Sequence, residues 1–190
     1  MSPAPNIPHE AIHALARATR RFHPKGTDWL LRKLHPPGND RPIRSVVDYD
    51  DGLLIHADTA SFLEWYIYFY GHFRPEVSKL LNRMLRPGHV AIDIGANIGM
   101  HTVIMANRCG PTGKVFCFEP DPHPFGRLKR NLALNGLDFV KAHQAALSAK
   151  TSRSVSWRRR FETSSLRMRD WNSIPRGLME HRGSCSMFPA

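Results

Sequence analysis

Residues 91–100 read AIDIGANIGM, and the apolar run that leads into them from Val90 is interrupted only by Asp93. A short β-branched segment that gives way at once to two glycines four residues apart, Gly95 and Gly99, is how a chain leaves a buried parallel strand and turns tightly into a helix. The residues that follow repeat the theme. Helix MHTVIMANRC (100–109) leads to Gly110 and a Pro-Thr-Gly turn, strand KVFCFE (114–119), helix FGRLKRNLAL (125–134), the cap Asn135-Gly136 and strand FVKAHQA (139–145). Strand, helix, strand, helix, strand at this spacing implies parallel strands joined by right-handed crossovers. The expected fold class for residues 88–148 is α/β, the first half of a doubly wound, Rossmann-like sheet.

In an open sheet of this kind, ligands bind outside the carboxyl ends of the strands, so loops 95–99, 119–123 and 145–148 should outline one pocket. Gly95 and Gly99 let the backbone approach a ligand, and the amides that open the next helix offer it donors. Glu119 ends the second strand, where a carboxylate can accept hydrogen bonds from both hydroxyls of a ribose. A P-loop would need a lysine after the last glycine, and none follows Gly99, which excludes ATP hydrolysis at this turn. A dinucleotide site would need glycines where Asn97 and Met100 stand, so NAD is disfavoured. What remains is a compact cofactor with a ribose and a cationic amino-acid tail, which the Asp93 carboxylate suits.

Upstream, residues 8–22 and TDWLLRKL (27–34) carry helical spacing, and Ile43 to Asp50 with Leu53 to Ala57 read as an antiparallel hairpin across Asp51-Gly52. Seven aromatics fall within residues 62–73. A membrane or base-stacking role is open to them, but packing on the following domain is favoured. RPEVSKLLNRML then reads as an amphipathic helix ended by Pro87-Gly88.

The ordered set D-I-G-A-N-I-G with Thr102, F-E-P-D-P (118–122), N-L-A-L-N-G (131–136) and A-A-L-S (145–148), preceded by YFYGHFRPE (68–76) and L-R-P-G (85–88), resembles the FkbM-type S-adenosylmethionine-dependent methyltransferases over residues 60–150. The resemblance implies the first half of a class I methyltransferase sheet, preceded by a helical and β-hairpin N-terminal segment. It places Asp93, Gly95, Asn97 and Gly99 at the methionine end of S-adenosylmethionine, Glu119 on the ribose, and Asp121 with Ala146 beside the adenine, with Ala96 and Pro120 in the same loops. It also implies O-methylation of a hydroxyl on a sugar, lipid or secondary metabolite, with a small-molecule or glycan acceptor. Arg74 departs from the pattern, since the family often has an acidic residue there.

The domain reading is 1–58 for the N-terminal helices and hairpin, 59–150 for the cofactor-binding domain, and 151–190 for a basic tail. The net charge is +11 over 190 residues, and Lys150–Ala190 supplies +6 of it, from nine basic and three acidic residues. That tail holds eight arginines and eight serines and no strand–helix repeat. It is expected to be disordered, and a truncation or frameshift near 150–156 is suspected. The acceptor half and any catalytic base would lie there, so no catalytic residue is assigned. A non-catalytic cofactor-binding remnant is the alternative. A nucleic-acid-binding protein is a weaker one. No apolar run reaches a membrane span and no secretory h-region is present, so the expected location is cytoplasmic. Cys109, Cys117 and Cys185 lack metal-ligand spacing, and the first two read as core thiols. His9 and His13, without a third ligand, read as solvated surface residues, and no metal site is expected.

Overall fold

Residues Leu53–Asp58 alternate buried and half-buried side chains, the period-two pattern of a strand with one covered face. They form β2 and pair antiparallel with β1 (Arg44–Tyr49), with Val47 opposite Ile55. The computed structural model describes residues 7–22, 26–50 and 52–147. Residues 148–190 lie outside them, and with them the tail 151–190 that is expected to be disordered.

Before the hairpin come α1 (His9–Phe22) and α2 (Thr27–Leu34), and after it α3 (Phe62–Tyr70). The aromatic helix α3 buries Trp65, Ile67, Tyr68 and Phe69, and it packs on α1 and on both hairpin strands. The expectation that these rings cover the following domain is thus corrected. A helix that leaves a hairpin through a short connection folds back on the element just made. Two polar handles fix the rings: Trp65 Nε1–H donates to the His35 carbonyl at 2.6 Å, and Tyr68 Oη meets His13 Nδ1 at 2.7 Å. His13 is therefore half-buried and bonded, not a solvated surface residue. Burial lowers its pKa, and nearby His9, Arg17 and Arg20 lower it further.

Helix α4 (Pro75–Met84) leads to the second sheet, built from β3 (Val90–Ile94), α5 (Met100–Cys109), β4 (Lys114–Phe118), α6 (Pro122–Leu134) and β5 (Lys141–His143). The strands lie parallel in the order β3-β4-β5, with Asp93 opposite Cys117 and Cys117 opposite Ala142. The α/β expectation is met, with two local differences. Helix α6 starts at Pro122 rather than 125, because the Asp121 carboxylate accepts the His123 N–H at 2.9 Å and proline suits the first helical turn. Strand β5 has three residues rather than seven, because Val140 N–H closes a turn onto the Leu137 carbonyl.

The edge of β2 that faces away from β1 is filled by side chains of α6 instead of a strand. Arg127, Asn131 and Asn135 recur every four residues, so they line one face of the helix. Asn135 accepts from Leu54 N–H and donates to Leu54 C=O, both at 2.8 Å. Asn131 accepts from His56 N–H at 3.0 Å, and Arg127 donates to His56 C=O at 3.0 Å. These bonds satisfy backbone groups that an edge strand would leave unpaired. Arg127 also forms a two-pronged ion pair with Glu64, whose Oε2 accepts the Asp58 N–H at 2.8 Å. The Glu64 side chain is only 4% exposed, so removing its charge leaves a guanidinium uncompensated. Breaking a buried pair from one side costs about 3–5 kcal/mol. Glu64→Gln should lower the unfolding free energy in urea by about 3 kcal/mol, and a loss below about 0.5 kcal/mol would show the pair to be incidental.

Candidate functional site

The turn between β3 and α5 holds three residues in the left-handed region: Gly95 at φ 77°, Asn97 at 52° and Gly99 at 88°. Gly95 and Gly99 serve different needs. A Cβ on Gly99 would lie 2.4 Å from Leu128 Cδ1, so glycine there lets α6 pack directly against the turn. A Cβ on Gly95 would meet nothing within 4 Å, so this residue faces open space and glycine serves only its positive φ. Gly95 N–H and Ala96 N–H both donate to Phe118 C=O, at 2.9 and 3.0 Å, and Gly99 N–H donates to Ala96 C=O at 2.8 Å. These amides hold the turn flush on the end of β4. The ligand donors that the sequence suggests are other amides, those that open α5 from Met100 onward.

Glu119, 8% exposed, collects the remaining strained amide. Its Oε2 accepts Asn97 N–H at 2.8 Å and its Oε1 accepts Asp121 N–H at 2.9 Å. One carboxylate thereby joins the glycine turn to the loop that opens α6. On the neighbouring strand, half-buried Asp93 accepts the Thr102 hydroxyl through Oδ2 at 2.6 Å, which pins the first turn of α5 to β3. Pro120 and Asp121 are exposed beside Glu119, and Ala146 is exposed on the segment after β5. The structure thus brings Gly95, Ala96, Asn97, Glu119 and Asp121 into one bonded group, with Asp93 and Gly99 behind it. A cleft of about 390 Å³ adjoins the turn, and of the candidate residues only Asn97 lines it. Asp58, Ser61, Glu64, His123 and Arg127 supply most of its remaining polar wall. Among the described residues, no group of three or more His, Cys, Asp or Glu is placed to hold a metal ion, and no helix is long and apolar enough to cross a membrane.

Residues 93–174 match the model of the methyltransferase FkbM domain. The match starts at Asp93, so it takes in the glycine turn, Glu119 and Asp121, and it continues past the described residues. Methyltransferase sdnD of Sordaria araneosa is 46% identical over 59 residues, 30% of this chain and 22% of that protein. The 31-O-demethyl-FK506 methyltransferase FkbM of Streptomyces tacrolimicus is 49% identical over 47 residues, 25% of this chain and 18% of its own length. The chain therefore aligns with less than a quarter of each of these curated relatives. Among solved structures, M. jannaschii TYW2 in complex with AdoMet is 22% identical with a TM-score of 0.44, covering 54% of this chain and 43% of that one.

Beneath the glycine turn, Cys117 sits fully buried close to Asp93 and Thr102. Burial first, and then the Asp93 charge, push its thiol up to about 12. An unfolded thiol titrates near 8.5, so this group leaves stability unchanged below that value and reduces it as pH rises toward 12. At pH 8 only about one part in ten thousand is thiolate in the folded protein, against about a quarter when unfolded. Iodoacetamide at pH 8 should therefore label Cys117 only after addition of guanidinium, as peptide mapping would show. Labelling of the native protein at the unfolded rate would contradict the buried geometry.

Proposed function

We propose that this chain is an S-adenosylmethionine-dependent methyltransferase that acts on a hydroxyl of a sugar, lipid or secondary metabolite. The observation that carries the proposal is the Glu119 carboxylate at the carboxyl end of β4, bonded to both candidate loops inside the segment that matches the FkbM domain. Each carboxylate oxygen has two lone pairs. One on each is taken by an amide, which leaves the capacity that two ribose hydroxyls require. Open space in front of Gly95 admits a ligand against the backbone. Asp93 engages Thr102 through Oδ2, so Oδ1 is left to attract a cationic tail, directly or through water.

Bound there, S-adenosylmethionine would supply an electrophilic methyl group on its sulfonium. The chain's own part is to fix ribose and amino-acid ends so that an acceptor oxygen can be held about 3 Å from that carbon with water excluded. The Streptomyces relative's name specifies a 31-O-demethyl compound, which supports an oxygen acceptor here. Cys109 and Cys117 are buried free thiols, in keeping with a reducing, cytoplasmic setting.

Calorimetric titration with S-adenosylhomocysteine, NAD and ATP tests the cofactor. Only the first should bind. Glu119→Ala should weaken it at least about tenfold, roughly 1.4 kcal/mol. Glu119→Gln should do no better than Ala, because its amide group would turn a donor toward one of the two backbone N–H groups. Preference for NAD, or wild-type affinity in Glu119→Ala, would overturn the reading. Transfer of labelled methyl to amines but not to hydroxyl compounds would overturn the acceptor class.

A further inference from the structure

Asn131 lies in the middle of α6 with none of its surface exposed. An amide buried this deeply is costly unless both its ends are bonded. Oδ1 accepts from His56 N–H at 3.0 Å and Nδ2 donates to the Ile98 carbonyl at 2.8 Å. Ile98 stands between Asn97 at φ 52° and Gly99 at φ 88°. The peptide on one side of Ile98 is thus held by Asn131 from α6, while the Asn97 N–H is held by Glu119 from β4. A non-glycine residue in the left-handed region persists where its surroundings over-determine it, and these two bonds supply that determination.

We propose that Asn131 is a positioning residue for the glycine turn, holding Asn97-Ile98-Gly99 in the shape that accepts the cofactor. The proposal rests on the reading of that turn as part of an S-adenosylmethionine site. It gives the buried asparagine a role beyond anchoring the hairpin, and Asn135 separates the two roles. Asn135 stands one turn further along α6, bonds both backbone groups of Leu54 and the Asn131 carbonyl, and makes no bond to the turn.

The test uses the full chain with Asn131→Asp, Asn131→Ala and Asn135→Ala. Asn131→Asp keeps the shape and the acceptor for His56 but sets an oxygen against the Ile98 carbonyl. Asn131→Ala serves if a buried carboxylate prevents folding. Two quantities are read: amide hydrogen exchange of residues 95–99, and calorimetric affinity for S-adenosylhomocysteine. Both Asn131 variants should speed exchange in the turn and weaken binding by about tenfold or more, whereas Asn135→Ala should lower the melting temperature and leave both quantities at wild-type values. Equal effects from Asn135→Ala, or unchanged exchange in the Asn131 variants, would overturn the proposal. If the wild type bound no S-adenosylhomocysteine while Asn131 still governed exchange, the positioning role would stand and the cofactor assignment would fall.

Discussion

One carboxylate at the carboxyl end of β4 settles how the site is assembled. Glu119 takes the N–H of Asn97 on one oxygen and that of Asp121 on the other, so two loops separated in sequence share a single buried anchor. The left-handed Asn97 gains a strong acceptor for an amide that the turn otherwise leaves unpaired. The Asp121 loop is held where its side chain can cap α6. A charged group that accepts two backbone N–H bonds fixes geometry better than a neutral one, since each bond to it is worth roughly 1.5–3 kcal/mol. Any ligand on this face therefore meets a preformed surface.

The same logic ties the N-terminal hairpin to the sheet. Arg127, Asn131 and Asn135 present to β2 the donors and acceptors that a third strand would have offered. The hairpin gains closure of an exposed edge, and α6 gains a fixed orientation. Gly99 then allows α6 to sit against the turn through Leu128. Hairpin, helix and turn form one mechanical chain: the His56 backbone is linked to the Ile98 carbonyl through Asn131, and Glu64 is linked to the His56 backbone through Arg127.

Local pattern made much of this legible. The step from VAIDI into two glycines announced a strand and a helix, and β3 and α5 occupy those residues. Leu53 to Ala57 announced a strand as one arm of a hairpin across Asp51-Gly52, and β2 follows it. The shortness of β5 was hidden, because Val140 is drawn into a turn by a backbone bond that no residue type signals. The partners of the aromatic helix were hidden for a different reason: an apolar surface does not name what covers it. At the turn, the internal use of the amides of Gly95 and Ala96 was hidden, because it depends on the register of β3 against Phe118. Asn131 carried a visible signal, a polar side chain beside Leu128 and Leu132 in a buried stripe. Its partners at Ile98 and His56 are 33 and 75 residues away, beyond the reach of periodicity.

The proposed cofactor site is the glycine turn with Glu119, at the carboxyl ends of the parallel strands. Titration of ¹⁵N-labelled protein with S-adenosylhomocysteine tests it directly, with chemical-shift changes mapped residue by residue. The largest shifts are expected at Gly95, Asn97, Glu119, Asp121 and Ala146, with small ones along Arg44–Tyr49 of the hairpin. Shifts concentrated instead at Asp58, Ser61 and Arg127, the walls of the neighbouring cleft, with Gly95 and Asp121 unmoved, would contradict it.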